Sequence, residues 1–234
     1  MSNGYFEFKQ FTVWHDRCAM KVGTDGVLLG AWACAAHPAR MLDVGTGTGL
    51  IALMLAQRYP SASVTAIEID PAAAGQAVGN VAQSPWADNI SVVCTDFRRF
   101  TAALPFDLIV SNPPYFVDAL HSPDHRRSMA RHTRELSYEQ LLAHASELLA
   151  PDGSVCLILP AEMEAMVTDI AWKHRLFPQR RLSVFTRAGK PCRRVLLALG
   201  RQSADVVNET LCIERAPGIR TPEYAALTQD FYLK

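Results

Sequence analysis

Asn112-Pro113-Pro114-Tyr115 stands directly behind the apolar run Phe106-Asp107-Leu108-Ile109-Val110-Ser111. An asparagine side-chain oxygen and a proline carbonyl are hydrogen-bond acceptors, and proline brings no backbone donor to compete with them. Such a pair can grip a planar amine by its two hydrogens, one on Asn112 Oδ1 and one on the Pro113 carbonyl. That grip favours a pyramidal nitrogen and exposes the lone pair which delocalisation otherwise withholds, so the nitrogen can attack an electrophilic methyl group. Pro113 and Pro114 stiffen the arrangement, and Tyr115 can stack on the ring that carries the amine. Asn112, Pro113 and Tyr115 are the candidate catalytic residues, with Pro114 and Tyr115 contacting the acceptor. Positioning rather than a strong base would supply most of the rate. A Pro-Pro turn that ends a strand, with Tyr115 in the core, is the plainer alternative. Adenine N6, guanine N2 and a protein glutamine are all planar nitrogens that would fit.

Upstream, Leu42-Asp43-Val44-Gly45-Thr46-Gly47-Thr48-Gly49 offers the other half of such a reaction. Gly45, Gly47 and Gly49 follow an apolar strand and introduce a helix, so the backbone can approach a ligand without Cβ interference. Glu68 ends the next strand, where its carboxylate can accept both ribose hydroxyls of a nucleotide-like cofactor. A tight turn and a solvated strand end would explain the same residues without a ligand. Asp43 separates two cofactor classes: beside a pyrophosphate it would repel, but it suits the cationic amino group of an amino-acid moiety. S-adenosylmethionine therefore fits better than NAD. Asp96 can accept from an adenine amino group while Phe97 packs on the ring, although Asp96 can equally cap a following turn. Asn112 belongs with these cofactor-side candidates as well as with the acceptor.

The formal net charge is zero, yet the segment from Trp172 to Arg194 holds eight basic residues and no acidic one. Arg187, Lys190 and Arg193 in it, with Arg126, Arg127, Arg131 and Arg134 behind the acceptor motif, are candidate phosphate contacts, which makes an RNA partner plausible. Solvation alone would also account for any one of them. His121, His125 and His132 are irregularly spaced and the six cysteines are scattered without a zinc pattern, so no metal is expected. The N-terminus shows no export segment and no run reaches membrane-spanning length, an expectation of a cytoplasmic protein.

These residues need a scaffold. With 49% hydrophobic and 20% charged residues, the chain reads as one globular domain over 1–234. Arg40 to Val44, Ser63 to Ile69, Ile90 to Cys94, Phe106 to Val110 and Ser154 to Leu159 read as short buried strands separated by helices, hence a mainly parallel sheet of α/β class. Leu50 to Ala56 suits a helix, Asp70 caps another starting at Pro71, and Leu136 to Leu149 forms a third that ends at the turn Pro151-Asp152-Gly153. Leu182 to Phe185 and Arg194 to Leu199 make a hairpin, and Thr210 to Glu214 a final strand. Residues 1–33 read as a cover over the cofactor site, and 201–234 as a packed C-terminal extension.

Taken together, several stretches resemble the bacterial tRNA1(Val) adenine-37 N6-methyltransferases, within the class I S-adenosylmethionine-dependent methyltransferases. Those stretches are Phe8 to Phe11, His15 to Gly26, the glycine loop, Gln83 to Ala87, Asn112 to Tyr115, Arg194 to Ala198 and Tyr224 to Leu233. Residues 117–134 and 186–193 match that pattern less closely. The resemblance implies a Rossmann-like, seven-stranded sheet with its last strand antiparallel, and methylation of adenine N6 beside the valine tRNA anticodon. It also implies that Lys21, Thr24 and Asp25 lie near the cofactor, where residue chemistry alone would allow a solvated charge and a helix cap. A methyltransferase-like RNA-binding module without turnover is the competing class.

Overall fold

The structure is a computed structural model that describes residues 4–18, 21–114 and 136–233. Tyr115, Arg126, Arg127, Arg131 and Arg134 lie outside the described residues. An antiparallel pair, β1 (Tyr5–Glu7) and β2 (Thr12–Trp14), precedes helix α1 (Thr24–Trp32). There follow β3 (Arg40–Val44), α2 (Leu50–Arg58), β4 (Ser63–Glu68), α3 (Pro71–Ala82), β5 (Ile90–Cys94) and β6 (Phe106–Ser111). Helix α4 (Tyr138–Leu148), β7 (Leu149–Pro160), α5 (Glu164–Lys173), β8 (Phe177–Phe185), β9 (Cys192–Gly200) and β10 (Val207–Cys212) come next. A small antiparallel ribbon, β11 (Glu214–Ala216) with β12 (Ile219–Arg220), and helix α6 (Pro222–Thr228) close the chain.

Eight strands form one sheet in the order β10-β8-β9-β7-β6-β3-β4-β5. Strand β9 runs antiparallel to β7 and β8, and the other neighbours pair in parallel. The sheet thus has one strand beyond the expected seven. The expected seven are β3 to β9, of which the last, β9, is the reversed one, and Val207–Cys212 adds an eighth in parallel on the outer edge of β8. Both faces of the sheet are covered. Met41, Leu108, Val110, Cys156 and Ile158 face one apolar cluster while Leu42, Ile109, Val155 and Leu157 face the other, the alternation that buries a parallel sheet between two helical layers.

Local chemistry explains the boundaries. Asp70 caps α3 by accepting from the Ala72 amide, with Pro71 at the first turn. Ser137 and Gln140 form a capping box that starts α4 two residues later than the sequence suggests. Pro151-Asp152-Gly153 does not end the helix in a turn before a separate strand; it lies inside β7, where the residues between Leu149 and Ser154 bulge opposite Asp107. Gly153 is needed there because a Cβ would stand 2.9 Å from the Phe106 carbonyl. The N-terminal residues enter the core: Phe8, Phe11, Val13 and most of α1 are buried, and Phe8 bridges to Tyr232 near the other end of the described chain. No helix among the described residues is long and apolar enough to cross a membrane.

Candidate cofactor and acceptor site

Strand order reverses between β3 and β6, and the crevice at such a switch point, beyond the carboxyl ends of the strands, is where open α/β sheets take ligands. A cavity of about 290 Å³ opens there, lined from β3 by Val44, Gly45 and Gly47, from β4 by Glu68, Ile69 and Asp70, and after β5 by Asp96, Phe97 and Arg98. Ser111, Asn112, Pro113 and Pro114 close it from β6. The two motifs, more than sixty residues apart in sequence, therefore face one space.

Gly45, Gly47 and Gly49 have φ of 73°, 55° and 83°, the left-handed region that costs other residues roughly 1–2 kcal/mol. Nothing of the protein lies within 4 Å of where a Cβ would stand on Gly45 or Gly47, so a ligand can approach that backbone. Gly49 serves differently. It sits at the N-cap of α2, and a Cβ there would meet Ala77 Cβ at 3.4 Å, so it permits helix contact rather than lining the cavity.

Glu68 is oriented by main-chain donors: Oε2 accepts from Gly47 N at 2.9 Å, and Oε1 from Ile69 N at 2.8 Å and Asp70 N at 3.0 Å. Its carboxylate thus binds the glycine loop to the end of β4 and retains lone pairs for hydroxyl donors in the cavity. Asp43 is fully buried and stands behind the residues that line the cavity. Its Oδ2 accepts from Thr46 Oγ1 at 2.6 Å and Ala52 N at 3.2 Å, tying the loop to α2. Burial pushes the Asp43 carboxyl up to about 7, against the lowering by those two hydrogen bonds.

Asp96 lines the cavity and also caps its turn, accepting from Arg98 N at 3.0 Å. The Arg98 guanidinium forks onto the same carboxylate, with Nε 2.9 Å from Oδ1 and Nη2 2.6 Å from Oδ2. That hydrogen bonding holds Asp96 below the ordinary carboxylate range. Phe97 lines the cavity with its ring edge-on to His144, centroids 4.9 Å apart. On the acceptor side, buried Ser111 donates from Oγ to the Val44 carbonyl at 2.8 Å, fastening the base of Asn112 to the base of the glycine loop.

Lys21, Thr24 and Asp25 do not line the cavity. Asp25 sits in the first turn of α1, and its Oδ2 accepts from Arg194 Nε at 2.8 Å, which fastens that helix to β9. Nor do Arg187, Lys190 or Arg193 line it; they belong to the β8–β9 hairpin. Beyond the neighbours of the candidate residues, the lining includes Cys18 and Leu136, which the sequence reading missed. Cys18 is brought there by α3, where Asn80 accepts from Trp14 N at 2.9 Å and donates to Trp14 O at 2.8 Å, and Gln76 Oε1 accepts from Arg17 N at 2.9 Å. Two buried amides on an otherwise alanine-rich helix were the available signal. Burial, then Glu68, Asp70 and Asp16, push the Cys18 thiol up to about 11. Among the described residues no group of His, Cys, Asp and Glu could hold a metal ion.

The family model for the methyltransferase small domain matches residues 23–170. Over its whole length the chain is 52% identical to the tRNA1(Val) (adenine(37)-N6)-methyltransferase of Bacteroides fragilis, covering all of that protein. It is 45% identical to the enzyme of the same name from Yersinia pestis, again over the full chain and 95% of the relative. Among solved structures, a predicted O-methyltransferase from Agrobacterium tumefaciens superposes with a TM-score of 0.67 at 21% identity, covering 88% of this chain and 96% of that one. A TehB-like SAM-dependent methyltransferase from Corynebacterium glutamicum gives 0.51 at 19% identity, over 77% and 89% of the two chains.

Proposed function

Since the chain belongs to the methyltransferase small domain family, we propose that it methylates adenine N6 in tRNA, at adenosine 37 of tRNA1(Val), with S-adenosylmethionine as donor. The observation that carries the reading is the single cavity shared by the glycine loop, Glu68 and Asn112-Pro113-Pro114. Full-length identity of 45–52% to enzymes of that name supports the choice of acceptor.

The residues present fit the donor. Gly45 and Gly47 leave room for a ligand against the backbone, Glu68 offers acceptors to ribose hydroxyls, and Asp96 with Phe97 suits an adenine edge and face. Asp43 acts indirectly, by holding the loop. S-adenosylmethionine, when bound, supplies a methyl carbon made electrophilic by its sulfonium.

Asn112 Oδ1 and the Pro113 carbonyl accept the two N6 hydrogens and turn the nitrogen lone pair towards that carbon. With the donor's methyl carbon in reach, Asn112 and Pro113 would hold the nitrogen in line for transfer, and the proton it gives up would pass to water. Neutral acceptors suffice because the alkylated nitrogen is a strong acid, so positioning carries the catalysis. Tyr115, outside the described residues, is the candidate to stack on the base, and Cys18 would border the donor.

The test offers radiolabelled S-adenosylmethionine to the purified protein with tRNA, DNA or protein as acceptor. Label in tRNA supports the reading; label only on a protein glutamine, or binding of RNA without transfer, would overturn it.

A further inference from the structure

Four of the eight basic residues between Trp172 and Arg194 are neutralised in space by acids distant in sequence. Arg180 pairs with Glu209 at 2.9 Å, Arg181 with Glu164, and Arg194 with Asp25 at 2.8 Å, while Arg187 stands 3.9 Å from Glu214. Lys190 and Arg193 are exposed and form no ion pair among the described residues, and the same holds for Arg215, outside that segment.

Backbone irregularities select these residues. Val184 faces Arg194 and Phe185 faces Cys192, which leaves Arg193 as the extra residue of a β-bulge. In the ribbon, Glu214 faces Arg220 and Ala216 faces Ile219, which leaves Arg215 as the extra residue of another. A bulge takes its side chain out of the alternation that would otherwise direct it into the sheet. The neighbour Arg194, in register, turns to Asp25 instead. Hairpin and ribbon are joined by Ile213 N to the Phe185 carbonyl and Glu214 N to the Thr186 carbonyl, both at 2.9 Å. Lys190 occupies the turn between the hairpin strands, beside Gly189 with φ of 75°.

This assembly lies at the carboxyl ends of β8 and β10, the same edge of the sheet as Asn112 at the end of β6. With strands about 4.8 Å apart, it extends from roughly 10 to 19 Å along that edge from the acceptor. A folded RNA with its base at Asn112 would have the phosphates of its flanking stem to offer to basic residues along that edge.

Resting on the reading of tRNA as acceptor, we propose that Lys190, Arg193 and Arg215 form a phosphate-binding shelf that docks the stem next to the modified loop. It positions the RNA by charge and carries no base recognition.

The experiment measures unmodified valine tRNA binding over a range of KCl concentrations for the parent protein and for Arg193→Ala/Arg215→Ala. The double variant is expected to bind about tenfold more weakly at low salt, with its log-log salt slope shallower by about 1.5. Arg193→Lys/Arg215→Lys should restore the parent slope. Lys190→Ala alone, in an exposed turn, should lower it by about 0.8. Binding of S-adenosylmethionine to each variant reports an intact site. An unchanged slope in the alanine variants overturns the shelf alone; a parent protein that binds no tRNA overturns both the shelf and the acceptor assignment beneath it.

Discussion

At one end of the sheet edge, across β3, β4 and β5, the cavity carries Glu68 held by main-chain amides and Asp96 held by an amide and Arg98; at the other, across β8, β9 and β10, the charged groups are guanidinium groups in partly exposed ion pairs or facing water. Orientation is set differently at the two ends. Glu68 is aimed by three backbone N–H groups, so its direction belongs to the fold. Exposed arginines are aimed by bulges and screened by salt. On the proposed reading, one end takes a small ligand of fixed geometry and the other a polyanion whose grip depends on ionic strength.

That contrast can be broken most severely at Asn112. Asn112→Ala should lower tRNA methylation by about 100- to 1000-fold, the scale of a lost transition-state hydrogen bond, with S-adenosylmethionine affinity changed only a few-fold. Equal losses in both would make Asn112 a structural anchor. Glu68→Ala should weaken S-adenosylmethionine binding at least about tenfold in calorimetry. It should also lower stability by about 1 kcal/mol in urea, since three part-buried amides exchange their carboxylate acceptor for water. The salt slope of tRNA binding should not move.

Asp43 gives a smaller effect with a definite sign. Its carboxyl titrates near 7 in the folded protein against 3.8 ordinarily, so the folded state keeps a proton that the unfolded chain has released. The stability it contributes is whole below about pH 4 and drains away as pH rises to about 7. Asp43→Asn should flatten that part of the profile, which urea midpoints at pH 5 and pH 8 will show; an unaltered difference would mean that the buried group is ionised. Smallest of all is Arg180→Met, which should leave the salt slope of tRNA binding where it is, because Arg180 is committed to Glu209 and to the face of Trp32. A shallower slope would move Arg180 into the shelf.

Those two ends were not equally legible in the sequence. Short apolar runs at β3, β4, β5 and β6 betray strands buried on both faces, and positive φ at three glycines is local chemistry that the residue type itself announces. The clustering of Asn112 to Pro114 with Glu68 followed from strand ends in a parallel sheet. Ion pairing left no such trace. Arg194 and Asp25 lie 169 residues apart, and an acid-free run looks like a patch until the sheet brings in its partners. Pro151-Asp152-Gly153 carries turn chemistry, yet a bulge uses the same residues without leaving the ladder. Cys18 reached the cavity through hydrogen bonds of Asn80 and Gln76 to the N-terminal backbone, a tertiary event that its own neighbours do not encode.

The most direct test digests valine tRNA to nucleosides after incubation with the protein and methyl-deuterated S-adenosylmethionine, and weighs the products. Deuterated N6-methyladenosine from the anticodon loop, strongly reduced with Asn112→Ala, is the predicted result. Deuterium in N2-methylguanosine, or N6-methyladenosine formed at the parent rate by the variant, would contradict the account.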